Sequence, residues 1–206
     1  MQGLGSGFTE QSASSGYKWK NENFLAFDGT NDSVNILSDE LISSMHSGGM
    51  ERSGSISLWF QMTDAVTTNS MLIDLTANSD NRIYMLYKHS NDTVSCTFKG
   101  GGTAKVASVD PPGGVTLEGD DTWHHLVMTW TDDGSILTYY DSIANSTVDI
   151  SGINFEGIDY ETASEEESAI LKIGESWSGA SDFQGYIDEV LLSSAVLTQD
   201  EVTEIY

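Results

Sequence analysis

The stretch from Phe183 to Leu192 reads FQGYIDEVLL and decides the fold. Its apolar and β-favouring residues predict a buried strand. Asp188 and Glu189 nevertheless lie side by side in the middle of this strand, and neighbouring strand residues point to opposite faces. We therefore expect at least one of the two carboxylates to face inward or to lie at the rim of a sheet. A buried carboxylate is costly unless it is paired, hydrogen-bonded or bound to a metal.

The charge balance limits what can pair with such a carboxylate. The 206 residues include 8 Lys and Arg against 32 Asp and Glu, for a net charge of −24. Because cationic side chains are scarce, a calcium ion is a candidate partner; backbone N–H groups and water are the alternatives. The same charge argues against nucleic acid and anionic membranes as partners. This negative charge is consistent either with a surface that binds cations or with a protein adapted to a salty environment.

The remaining sequence predicts one large all-β domain behind a short arm. Residues 1–16 are rich in Gly and Ser and predict a flexible N-terminal arm, and residues 17–206 form the domain. About a dozen short strands are separated by turn signals, which predicts a two-sheet antiparallel jelly-roll sandwich. A short C-terminal helix should begin after Thr198, whose side chain forms a capping box with Glu201.

Cysteine content and apolar patterning narrow the cellular context. The single cysteine, Cys96, excludes a disulfide framework within the chain. No apolar run is long enough to predict membrane insertion, and the N-terminus does not read as a secretory signal. These features favour a protein that works in the cytosol or that leaves the cell in an assembled particle.

Five segments together resemble the laminin-G-like, concanavalin A-like jelly-roll superfamily, in its pentraxin-related branch. They are FDGTND at residues 27–32, SISLWF at 55–60, DTWHHLVMTWTDDGSILTYYD at 121–141, AILKIGES at 169–176, and the C-terminal segment from residue 183. The resemblance covers residues 23–206, and one departure from it is Ser142, where the family usually has glycine.

The resemblance implies a calcium site and a set of functions. In many members the acid of FDG and the acid of the IDE strand bind calcium, which here correspond to Asp28 and Asp188. Gly29 would add its carbonyl oxygen, and Asn31 or Asp32 a further ligand, because calcium takes six to eight oxygens. Members include glycan binders, adhesion modules, accessory domains of polysaccharide enzymes and virion surface proteins.

Sugar binding requires an exposed aromatic ring with polar groups beside it. Trp177 lies in the small polar loop ESWSGASD and is the first candidate; the alternative is that its ring folds back over the rim of the sandwich. Tyr139 and Tyr140 point to opposite faces of one strand, and we select Tyr140 as the second candidate.

Catalysis is not favoured. Laminarinase-type hydrolases of this fold carry carboxylates on one strand as E-x-D-x-x-E, and no such strand is found. The acidic run with Glu161 and residues 165–167 predicts a solvated edge, and His124 and His125 diverge on their strand, which disfavours a zinc site.

The sequence thus predicts a non-catalytic binding or adhesion module, stabilised by calcium, that recognises a glycan or another surface. It would be extracellular or lie on a virion surface, with capsid or tail proteins as further partners. The first alternative is a purely structural particle protein docked through the N-terminal arm. A polysaccharide hydrolase of the laminarinase type is the second alternative.

Overall fold

The computed structural model describes residues 23–36, 53–131, 134–153, 155 and 170–206. Within these residues the strands are, in chain order, β1 (Leu25–Asp28), β2 (Val34–Asn35), β3 (Gly54–Gln61), β4 (Ser70–Asn78), β5 (Asn81–Lys88), β6 (Thr93–Gly100), β7 (Thr103–Val109), β8 (His124–Trp130), β9 (Ser135–Tyr140), β10 (Ile143–Asp149), β11 (Ile170–Ile173) and β12 (Gln184–Ser193). A 3-10 turn spans Pro112–Gly114, and helix α1 spans Gln199–Ile205. The predicted N-terminal arm, Glu161 and residues 165–167 lie outside the described residues.

The strands form two six-stranded antiparallel sheets. The first sheet has the order β1-β12-β3-β8-β9-β10, and the second has the order β2-β11-β4-β5-β6-β7. The FQGYIDEVLL stretch forms most of β12, which is hydrogen-bonded between β1 and β3 inside the first sheet. The predicted all-β, two-sheet jelly-roll sandwich with a short C-terminal helix is confirmed.

The core lies between the two sheets, where the inward-facing apolar side chains of both sheets meet. Leu58 and Leu126 of the first sheet are fully buried, as are Ile83 and Met85 of the second. Cys96 is also buried in this core, and its burial raises the pKa of the thiol. None of the helices among the described residues is long and apolar enough to cross a membrane.

A bulge in β12 decides where its adjacent carboxylates lie: of the two places expected for them, the core or the rim of a sheet, the core is excluded. The register with β3 shifts between Asp188 and Leu191, and Glu189 has a positive φ of 47°. This bulge lets Ile187 point into the core and brings the next inward position to Val190. Asp188 is therefore half-buried on the outer face, and Glu189 is exposed at the bulge.

Helix α1 covers part of the outer face of the first sheet. It begins at the predicted capping box: the Thr198 side chain accepts from the Glu201 N–H, and the Glu201 carboxylate accepts from the Thr198 N–H. Val202 of the helix packs on Val127 and Tyr139 of the sheet. Among the described residues, no helix packs on the outer face of the second sheet.

Candidate functional site

The residues predicted to bind calcium fall into two separate places. Asp28, Asn31 and Asp32 lie in one turn after β1, where the Thr30 N–H donates to Asp28 Oδ1 at 2.8 Å. The Asp28 N–H in turn donates to Asp32 Oδ2 at 2.9 Å. The turn is closed by positive φ angles of 83° at Gly29 and 60° at Asn31. The carboxylates of Asp28 and Asp32 thus already accept hydrogen bonds from backbone N–H groups of their own turn.

Asp188 does not join this turn. In the pairing of β1 with β12, Asp28 lies opposite Gln184, and Asp188 is four residues farther along the strand. At roughly 3.3 Å per residue, the two aspartates are about 13 Å apart along the sheet, too far for one ion whose ligands lie at about 2.4 Å. The predicted five-residue set therefore does not fit a single calcium ion. Among the described residues, no group of three or more His, Cys, Asp or Glu could hold a metal ion; calcium binding itself stays a prediction.

Tyr140 is a wrong prediction for ligand contact. Its side chain is only 2% exposed and belongs to the core, where its ring stacks on His124 at 5.0 Å between centroids. Its neighbour Tyr139 points outward, but helix α1 covers it through Val202. Strand alternation left open which tyrosine points outward, and the helix that buries the outer one arrives from the far end of the chain.

Trp177, by contrast, is exposed at the outer face of the second sheet. Its side chain is 44% exposed, in the loop between β11 and β12. This loop is closed on itself, since Ser176 N–H donates to the Ala180 carbonyl and Gly179 N–H donates to the Ser176 carbonyl. The Trp177 N–H donates to Asp74 Oδ2 at 2.9 Å, which ties the loop to the sheet.

Strand register explains which side chains surround Trp177. Paired residues of neighbouring strands point to the same face, and Leu75, Ile83 and Leu171 point into the core. The residues that alternate with them point outward on the same side as the Trp177 loop. The outward set contains Asp74, Thr76, Arg82, Tyr84, Lys99 and Lys172.

Asp74 is the buried centre of this surface. It has no exposed area, and its carboxylate accepts hydrogen bonds from Thr76 Oγ1 at 2.7 Å and from Arg82 Nη2 at 2.5 Å, in addition to the Trp177 N–H. Arg82 Nε also donates to Thr76 Oγ1 at 3.0 Å. A buried carboxylate is tolerated when its lone pairs are satisfied in this way.

Arg82 links this buried centre to two aromatic rings. Its guanidinium carbon lies 4.7 Å from the ring centre of Tyr84 and 5.7 Å from that of Trp177, within the range of cation–π contacts. We call Trp177, Arg82 and Tyr84, on their support of Asp74 and Thr76, the Trp177 platform. It offers an exposed apolar ring beside N–H donors whose positions are already set, a combination that suits a sugar ring.

Sequence reasoning identified Trp177 and missed its supports. A signal was present in SMLIDLT, where Asp74 interrupts an apolar strand as Asp188 does in β12. Arg82 and Tyr84 carry no such mark, because an Arg and a Tyr on a half-exposed strand are ordinary residues there.

A second polar cluster surrounds His124 at the rim of the first sheet. Its Nδ1 lies 3.0 Å from Asp141 Oδ2, and its Nε2 lies 2.8 Å from Asp120 Oδ2. Carboxylates only accept, so hydrogen bonds from both ring nitrogens require a proton on each of them, and this arrangement favours the imidazolium form. Burial alone lowers the pKa of His124, but the hydrogen bonds and charges of Asp141 and Asp120 outweigh burial and raise it above the ordinary 6.5.

The neighbouring His125 has the opposite electrostatics. Its Nε2 lies 2.8 Å from Ser57 Oγ, and its Nδ1 is buried without a hydrogen-bond partner among the described residues. Burial lowers the pKa of His125 to about 4, against a smaller raising effect of the Asp141 charge. One strand thus holds two adjacent histidines whose pKa values are shifted in opposite directions.

The two histidines predict opposite effects of pH on the free energy of unfolding. His124, with a raised pKa, stabilises the fold fully below about pH 6.5, and this contribution is lost as the pH rises through its folded-state pKa. His125, with a lowered pKa, makes the fold less stable as the pH falls from about 6.5 toward 4, because only the unfolded chain takes up the proton. Urea unfolding of His124→Gln and His125→Gln across pH 4–9 checks both signs. Parallel curves for wild type and both variants would contradict them.

Comparisons with known proteins agree with this architecture. A family model described as the concanavalin A-like lectin/glucanases superfamily matches residues 28–203. No significant match to a curated protein was found. Among solved structures, the Ruminococcus gnavus IT-sialidase CBM40 is similar with a TM-score of 0.66 and 13% identity, covering 89% of this chain and 96% of that chain.

Two further solved structures have the same fold. Domains LG4-5 of the mouse laminin alpha1 chain give a TM-score of 0.59 at 17% identity, over 84% of this chain and 42% of that chain. The SAP-like pentraxin from Limulus polyphemus gives 0.56 at 14% identity, over 87% and 79%. Since the family model spans most of the sequence and the two-sheet architecture agrees with it, the chain belongs to the concanavalin A-like lectin/glucanases superfamily, as the laminin-G-like resemblance of its motifs predicts.

Proposed function

We propose that this protein is a non-catalytic carbohydrate-binding module and that its glycan lies on the Trp177 platform. The observation that carries the proposal is a tryptophan that is 44% exposed and yet held in place by a hydrogen bond to a fully buried carboxylate. An exposed ring fixed in advance loses little conformational entropy when a ligand stacks on it.

A similar structure lends support from outside the chain. The Ruminococcus gnavus CBM40 has been solved bound to alpha2,3 sialyllactose, with a TM-score of 0.65 and 12% identity to this chain. At that identity the likeness concerns the fold alone, and it is the Trp177 platform that favours glycan binding by this chain.

Binding is favoured over hydrolysis by the state of the nearest carboxylate. A glycosidase needs two carboxyl groups that flank the scissile bond about 5 to 9 Å apart and that reach the substrate. Asp74, beneath the platform, has no exposed area and is committed to Thr76, Arg82 and the Trp177 N–H. It therefore positions the platform and is not available as an acid or a nucleophile.

Replacing Trp177 by alanine should lower affinity for the bound glycan at least tenfold, or about 1.4 kcal/mol, because a central aromatic contact dominates such sites. The glycan is first found on an array, and its affinity is then measured by calorimetry. Because the Trp177 side chain is exposed, the melting temperature should change little.

The matched control is Phe24→Ala. Phe24 is 40% exposed, but it contacts Tyr186 and Trp123 on the first sheet, on the opposite side of the sandwich. This variant should bind as wild type does. Loss of binding in Phe24→Ala but not in Trp177→Ala would move the site to the first sheet and sink the proposal. The predicted place on a virion, the partners there and the docking arm stay predictions.

A further inference from the structure

The lysines and arginines of the described residues are not spread over the surface. They all lie on strands of the second sheet, although the whole chain has a net charge of −24: Arg82, Lys88, Lys99, Lys105 and Lys172. The amino-acid composition alone, with 8 Lys and Arg in all, argues against any basic patch. The fold nevertheless gathers cations on one sheet.

The strand register places three of these cations around the Trp177 platform. Lys172 lies directly opposite Asp74, and Lys99 lies directly opposite Arg82. Directly opposite residues have Cβ atoms about 5 Å apart, and like charges in that position destabilise a sheet. The outer face therefore carries three cations, and two of them, Arg82 and Lys99, occupy directly opposite positions, where like charges are unfavourable.

The acids that hold the two lysines lie beside the strands, not among them. Lys172 Nζ donates to Glu175 Oε2 at 2.7 Å, and Glu175 is in the loop after β11. Lys99 Nζ donates to the Ser79 carbonyl at 2.6 Å and lies 3.7 Å from Asp80, whose side chain is 64% exposed. An exposed ion pair of this kind is weak, so Lys99 can exchange Asp80 for a ligand.

The rest of the surface repels anions. A net charge of −24 opposes the approach of an acidic ligand to most of the molecule, and Arg82, Lys99 and Lys172 on the outer face of the second sheet offset this field locally. An anionic group between Arg82 and Lys99 would offset the unfavourable placement of two like charges opposite each other. It would also accept hydrogen bonds from the guanidinium, which has five N–H donors and uses two of them on Thr76 and Asp74.

We infer that the glycan bound on the Trp177 platform is acidic, and that its carboxylate or sulfate group lies between Arg82 and Lys99 while a sugar ring packs on Trp177. This inference rests on the proposed function and specifies the ligand class of the same site. Carboxylate and sulfate share the chemistry of a delocalised anion, so the experiment has to separate them.

The test is an array that pairs acidic glycans with their neutral parents: sialyllactose, sulfated lactose and lactose, with uronic-acid and neutral oligosaccharides beside them. We expect binding to acidic glycans and at least tenfold weaker binding to the neutral parent, since a charge-assisted hydrogen bond is lost. Comparing the affinities of the carboxylated and the sulfated glycans shows which of the two anionic groups the site prefers.

The variants Lys99→Gln and Lys105→Gln form a matched pair. Lys105 lies opposite the core residue Phe98, so it points away from the outer face that carries Lys99. Lys99→Gln should weaken acidic-glycan binding about tenfold and Lys105→Gln should leave it unchanged.

The outcomes distinguish this inference from the proposed function. Equal binding of neutral and acidic glycans, lost in Trp177→Ala but kept in Lys99→Gln, would overturn the inference and leave the proposed function standing. Equal losses in Lys99→Gln and Lys105→Gln would also overturn it, since the effect would then follow net charge alone. No binding of any glycan by folded protein would overturn both.

Discussion

Replacing Gly185 by alanine is expected to destabilise the fold by about 4 kcal/mol, the larger of the two strongest effects that the structure predicts for single substitutions. Gly185 has a φ of +139°, a backbone conformation that side chains with a Cβ rarely adopt. A Cβ there would meet the carbonyl oxygen of Gln61 on the neighbouring strand. Neither strand can easily move, because β12 is held by β1 on one side and by β3 on the other.

Urea unfolding of the purified variant measures this effect. Domains of this kind are stable by only about 5 to 15 kcal/mol, so the expected loss is a large share of the total. The control is Gly113→Ala, which also has a positive φ of 79° but has no atom within 4 Å of the added Cβ. That variant should lose about 1 kcal/mol from the backbone conformation alone. Equal losses in the two variants would show that the contact with Gln61 does not matter.

Replacing Asp74 by alanine should lower the free energy of unfolding by about 3 kcal/mol and abolish binding at the Trp177 platform. The substitution removes the acceptor of Arg82, Thr76 and the Trp177 N–H together. It leaves a guanidinium that is only 17% exposed without its counter-charge, which is the costly half of a broken buried ion pair.

Two controls separate the charge effect from a general loss of an aspartate. Asp110→Ala, at an exposed loop position, should change stability by less than about 0.5 kcal/mol. The double variant Asp74→Ala/Arg82→Met should be more stable than Asp74→Ala, because the unpaired cation is gone. If Asp74→Ala is no less stable than Asp110→Ala, the buried network does not support the platform as described.

Much of the fold was open to prediction because the signals are local. Apolar alternation predicts the β3 and β8 strands, and the spacing of Thr198 and Glu201 predicts the start of helix α1. The alternation of apolar residues in a strand and the cap of a helix both depend on residues only a few positions apart, so a single sequence is enough to find them. The polar loop of Trp177 is also a local signal, and the structure does expose this side chain.

The candidate site depends on distances that no local pattern contains. Asp28 and Asp188 lie in paired strands, but a register in which Asp28 faces Gln184 keeps them about 13 Å apart. The bulge at Glu189 likewise overturns strict alternation and keeps both carboxylates of β12 out of the core. Register and bulges follow from the packing of whole sheets, which one strand's sequence does not specify.

The amino-acid sequence by itself determined the family, the two-sheet class and the capped terminal helix, and it singled out Trp177 as a candidate, since each follows from residues close together in the chain. Sheet pairing decided that Asp74, Arg82 and Trp177 meet, although they come from β4, β5 and the loop before β12. Sheet pairing also placed Arg82, Lys99 and Lys172 of this acidic chain on one face. The physical reason is that strand pairing brings together residues more than a hundred positions apart, and the resulting charges and contacts exist only in the folded chain.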